Sequence, residues 1–166
     1  MKLNNVFMRR LILLIAIVIF LSGSQVSQQE NSLKLNDLEY FESQGVSLLV
    51  YSNQFTGVFN DEKTAGIELI HHGVRTSTGG AVRLSSTPEQ WDLIPAITNR
   101  KADKGSNSIE TTLMYADYNF ESRVVVTAKG NTFEISVYLD KPVPAELEKN
   151  AGFNLEFLPS AYFGKI

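Results

Sequence analysis

The residues able to do acid–base chemistry are few in this chain. His71 and His72 are its only histidines. Neighbours on a regular strand point to opposite faces, so the two are not expected to grip one metal together. Either alone could act as an acid or a base if it faced a pocket. Glu68, Glu134 and Glu156 lie in runs that read as strands, and a pair of carboxylates about 5 to 10 Å apart across a cleft would suit glycosidic chemistry. The plainer reading sets one histidine packed and one exposed, with the glutamates on the wet side of a sheet. No spacing signature singles out a carboxylate pair. Arg75-Thr76-Ser77-Thr78-Gly79-Gly80 is rich in donors and glycine but lacks the lysine of a P-loop and the glycine spacing of a dinucleotide site. It reads as a loop, either structural or touching a ligand or a second domain. There is no Gly-x-Ser-x-Gly nucleophile motif. With no cysteine at all, disulfides, thiolate metal sites and a lipid-bearing cysteine are excluded. This reading assigns no catalytic residue, no metal ligand and no cofactor.

Trp91, Tyr115, Tyr118 and Tyr138 could stack on the C–H faces of a sugar, although aromatic rings in a sandwich more often fill its core. Trp91 has the stronger case for the core, because it follows a helix cap. Arg75, Trp91, Tyr115 and Tyr138 stand as the candidates for contact with a glycan or a neighbouring domain.

The elements that must position these groups begin after an export signal. Lys2, Arg9 and Arg10 precede the apolar run of residues 11–21, and Ser22-Gly23-Ser24 follows it. A basic start, a short apolar core and small residues at a break spell a secretory signal peptide, residues 1–24, cleaved near Ser24. The run is about half the ~20 residues of a membrane span. The expected location is therefore secreted or periplasmic in a bacterium, with no membrane contact after cleavage. The net charge is −3, and loss of the three basic residues leaves an acidic remainder. That argues against nucleic acid and anionic membranes, which call for basic patches, and leaves neutral glycans open.

Residues 25–37 are polar and read as a flexible leader, and residues 38–166 as the folded module. Residues 46–51, 67–72, 81–84, 108–115, 120–128, 132–139 and 152–158 read as strands, separated by Gly-, Asn- and Pro-bearing turns. In 108–115, Ile109, Thr111, Leu113 and Tyr115 share one face. Phe133, Ile135, Val137 and Leu139 alternate with Glu134, Ser136, Tyr138 and Asp140, and Lys129-Gly130-Asn131 makes a tight link before them. Thr87-Pro88-Glu89-Gln90 has the cap, proline and amide of a capping box, residues 145–149 could form a second helical turn, and residues 101–107 read as a charged connection. Short strands, frequent turns and no long amphipathic helix predict an all-β antiparallel sandwich with one or two helical turns. The apolar, aromatic ending through Tyr162 and Phe163 reads as a fragment, cut at its C-terminal end.

Two stretches carry a resemblance. One is residues 66–80 (GIELIHHGVRTSTGG) with Val82-Arg83-Leu84-Ser85 and Thr87-Pro88-Glu89-Gln90-Trp91-Asp92. The other is Leu139-Asp140-Lys141-Pro142 with residues 151–163 (AGFNLEFLPSAYF). Together they resemble the N-terminal β-sandwich region of large exported glycoside hydrolases of family 9 from Bacteroidetes-like bacteria, over residues 38–166. The resemblance implies a noncatalytic module ahead of an (α/α)-barrel domain that hydrolyses β-glucans by inversion. That domain, later in the same polypeptide, would be its partner. The family's catalytic aspartate pair and glutamate acid belong to the barrel, and no Asp-Ala-Gly-Asp occurs here, so no catalytic residue carries over. The alternatives are a stand-alone mutarotase-like epimerase, using His71 or His72 with Glu156, and a carbohydrate-binding module.

Overall fold

The structure is a computed structural model that describes residues 31–56, 62–83, 95–149 and 151–164, with the side chains of 53–56, 62–65 and 81–83 left aside. Its strands in chain order are β1 (Lys34–Leu35), β2 (Phe41–Ser43), β3 (Val46–Thr56), β4 (Glu62–His71), β5 (Val74–Arg83), β6 (Ala96–Asp103), β7 (Ser108–Tyr115), β8 (Phe120–Lys129), β9 (Thr132–Tyr138) and β10 (Gly152–Phe157). They form two antiparallel sheets, β1-β2-β3-β4-β5-β10 and β6-β7-β8-β9. The fold is an all-β sandwich, as the strand pattern predicts. Helical structure among the described residues is confined to 3-10 turns at Ala116–Tyr118 and Ala145–Leu147 and a single turn at Pro159–Tyr162. The capping-box turn and Trp91 lie outside the described residues.

The period-two pattern decides which side chains meet. In β7, Ile109, Thr111, Leu113 and Tyr115 are all buried; in β8, Val124, Val126 and Ala128 join them. Phe41, Leu48, Val50 and Ile67 from the larger sheet complete a core shared by both sheets. Burying such side chains supplies most of the stabilisation, about 1.5–3 kcal/mol for each large aliphatic group. Strand β9 departs from expectation. Phe133 and Ile135 pack on the core only in part, and Val137 and Leu139 are exposed. The cause is position, since among the described residues β9 is an edge strand with only β8 flanking it.

Three segments read as irregular belong to sheets. The leader ends early, because β1 pairs with β2 and Leu33 and Leu35 are buried. Asn107 fastens it: its Oδ1 accepts from Leu35 N at 2.8 Å, and its Nδ2 donates to Leu33 O at 2.9 Å and Ala128 O at 3.2 Å. Residues 101–103 are the end of β6, leaving a shorter turn before β7. The Arg75–Gly80 stretch is part of β5, paired with both β4 and β10. Its glycines answer a close approach rather than a loop. A Cβ on Gly80 would stand 2.7 Å from Cβ and Cγ1 of Ile67, at φ +76°, and the buried Tyr51 hydroxyl donates to the Gly80 carbonyl.

Arg100 of β6 links the sheets. Its Nε donates to Val50 O of β3 at 2.9 Å, while NH1 and NH2 reach Glu39 Oε2 at 2.6 Å and Glu39 O at 2.7 Å. The planar fork of guanidinium suits this three-way grip, which an ammonium could not reproduce.

Candidate functional site

The candidate residues fall into separate places. The β4–β5 hairpin carries four of them. His71 pairs with Val74, so His72 and Gly73 are the two turn residues, and both have positive φ, +49° and +77°. This is the backbone of a type I′ turn, whose twist matches that of the strands. The geometry corrects the expectation that the histidines point apart. His72 is not a strand residue, and its left-handed backbone swings the ring back beside His71, with ring centroids 4.4 Å apart and a 56° tilt. Both side chains are exposed.

Glu68, expected on a wet face, is only 2% exposed. Arg75, two strand positions from the turn, holds it at 2.8 Å while keeping half of its own side chain in solvent. A charge buried this far is retained because it is paired. Glu156 lies elsewhere. On β10 it stands opposite Thr78 of β5, four residues along the strand from Val74, the partner of His71. Four residues of strand span about 13 Å, and β5 lies between. The structure therefore does not bring Glu156 to either histidine. Its Oε1 accepts from Asn154 Nδ2 at 3.1 Å. Glu134, exposed on β9, pairs with Lys129 at 2.8 Å, and that hydrogen bond holds its carboxyl below the usual range.

The candidate tyrosines divide. Tyr115 is 3% exposed and packs beside Phe120 at 6.0 Å, so it has no surface for a glycan. Tyr118 is half-buried against the core. Burial pushes the Tyr51 hydroxyl far above its ordinary value, with Tyr115 adding to the effect. Tyr138 is different: it is 45% exposed on the outer face of the smaller sheet. The Arg123 guanidinium lies 4.5 Å from its ring centroid and pairs with Glu110 at 3.1 Å. Arg123 was not among the sequence candidates, yet its signal was present. Once Gly130-Asn131 is a two-residue turn, Lys129 opposes Thr132, and counting back sets Arg123 against Tyr138, the observed register. Beyond Tyr138, Met114, Asn119, Glu121, Asp140 and Lys141 line a recess of about 60 Å³. That is well below the roughly 300–1,000 Å³ of small-molecule pockets.

A second surface is apolar. Along edge strand β10 and the turn after it, Phe153, Phe157, Tyr162 and Phe163 are exposed, Phe163 by 89%. Phe157 and Tyr162 meet edge to face at 5.9 Å, and the segment is held to β5 by Leu158 N donating to Thr76 O at 2.9 Å. No group of three or more metal-ligating side chains occurs among the described residues. No family model, curated protein or solved structure matches the chain.

Proposed function

We propose that this chain is a noncatalytic β-sandwich module of an exported polysaccharide-degrading glycoside hydrolase, placed against that enzyme's catalytic domain. The observation that carries the reading is the aromatic ledge of β10. Four large rings stand in solvent, Phe153 and Phe157 on the edge strand and Tyr162 and Phe163 on the turn after it, and patches of this kind mark contact surfaces. The disposition of the candidate acid–base groups agrees, since Glu68 is engaged by Arg75 and Glu156 lies apart from the histidines. The family resemblance supplies the substrate class, a β-glucan cut by the adjoining domain. The test is enzymatic. Mature chain ending at Ile166 should release no reducing ends from β-glucans and should not speed glucose mutarotation, whereas protein continuing through the rest of the gene's reading frame should hydrolyse the glucan. Hydrolysis by residues 25–166 that a Glu156→Gln change abolishes would overturn the reading, as would faster mutarotation lost with His71 or His72.

One observation favours a second reading, a carbohydrate-binding module. Tyr138 offers a ring, backed by Arg123, on a face whose other side chains are largely polar. A neutral glycan would then be the partner of this face, and Tyr138→Ala should abolish retardation of the chain in glucan-containing gels.

A further inference from the structure

We propose that His71 and His72 form a two-imidazole site for a divalent transition metal that prefers square or octahedral geometry, of the Cu²⁺ or Ni²⁺ kind. A metal–imidazole bond is about 2.0–2.1 Å, and the ring centre lies about 1.1 Å behind the nitrogen, so each centroid sits about 3.2 Å from the ion. Two rings bound at right angles then have centroids about 4.5 Å apart, and two bound at the tetrahedral angle about 5.2 Å. The observed separation is 4.4 Å. Tetragonal coordination by nitrogen is the habit of Cu²⁺ and Ni²⁺, and copper also heads the affinity order for such ligands.

The arrangement is prepared by the backbone. The positive φ of His72 places its ring beside that of His71, and His72 N donates to Gly45 O at 2.6 Å, tying the β4–β5 turn to the β2–β3 turn. The His72 ring lies directly over Gly45, where a Cβ would come within 2.4 Å of its Cε1 and 2.6 Å of Nδ1. Gly45 is thus the floor against which the ring rests. Both imidazoles are exposed, which leaves the remaining coordination positions to water and lets the metal exchange with solution. Two ligands already held together bind as one chelate, with a gain on the order of 100-fold over separate imidazoles.

The chain suits a clean test, because it has no other histidine and no cysteine. Residues 25–166 would be titrated with Cu²⁺ alone in a non-coordinating buffer, followed by calorimetry and electron paramagnetic resonance. The expected result is one Cu²⁺ per chain with hyperfine splitting from two equivalent-type imidazole nitrogens. His71→Ala and His72→Ala should each weaken binding about 100-fold and leave a single-nitrogen spectrum, and the double variant defines the background. Gly45→Ala keeps both ligands but displaces the His72 ring, so it should weaken binding while circular dichroism remains that of a folded sandwich. A single-nitrogen spectrum in the unaltered chain, or single variants that bind as tightly as it does, would overturn the proposal and leave the two rings as a packing contact.

Discussion

Gly80→Ala offers the sharpest test of how β4 and β5 meet. The added Cβ would stand 2.7 Å from Cβ and Cγ1 and 3.0 Å from Cδ1 of Ile67, a side chain with no exposure to solvent. Two costs arise. Holding an L-residue in the left-handed region costs about 1–2 kcal/mol, and forcing a methyl into a packed core costs about 1–3 kcal/mol, for a total of about 2–5 kcal/mol. Gly130→Ala is the control. Its φ is +61° and nothing lies within 4 Å of the new Cβ, so it bears the backbone cost alone, about 1–2 kcal/mol. Urea unfolding of residues 25–166, followed by far-ultraviolet circular dichroism, separates the two. With a slope of about 1–3 kcal/mol/M, the Gly80 variant should unfold on the order of 1 M earlier than the Gly130 variant. Equal midpoints would show that Ile67 and Gly80 do not meet as described, and the reasoning about β5 would fall with them.

Four further outcomes are expected. Leu113→Ala, in the middle of the core, should cost about 2–5 kcal/mol, whereas Ile135→Ala on the half-covered edge strand should cost about 1–2 kcal/mol and Ser136→Ala almost nothing; urea midpoints rank the three. Arg100→Lys should lose the three-way grip on Val50 and Glu39 and cost about 1.5–3 kcal/mol, measured in the same way. Thr111 Oγ1 is buried without a hydrogen bond, so Thr111→Val should leave stability unchanged or raise it by up to about 1 kcal/mol; a marked loss would reveal a partner for that hydroxyl. Asp103 accepts hydrogen bonds from Ser106 and from the Gly105 amide, which hold its carboxyl below the ordinary range; the turn's resulting stability should be present above about pH 4 and fall away as acid protonates Asp103, an effect that a carbon-detected NMR titration would follow and Asp103→Asn would remove.

Much of the smaller sheet was legible in the order of residues alone. Alternation of period two names the buried face of β7 without any knowledge of its neighbours, because each strand turns successive side chains to opposite sides. The link read as Lys129-Gly130-Asn131 is a two-residue turn at Gly130-Asn131 in the fold, with Lys129 opposite Thr132, and that one-residue difference sets the register in which Arg123 meets Tyr138. What neighbours cover a residue is not local information. The half-exposure of Phe133 and Ile135 follows from β9 being the edge of its sheet among the described residues, and the burial of Tyr115 from the sheet that lies opposite. Leu33 and Leu35 sit in a polar stretch, and partners distant in sequence draw them into the fold, Asn107 more than 70 residues later and the Gly130 carbonyl. The Thr-Ser-Gly run of β5 reads as a loop because glycine is the residue of turns, while in the sheet it makes room for Ile67. The two histidines turn on one dihedral angle. Sequence places them side by side on a chain, and the turn that the strands require gives His72 a positive φ, which brings its ring against its neighbour's instead of across the sheet.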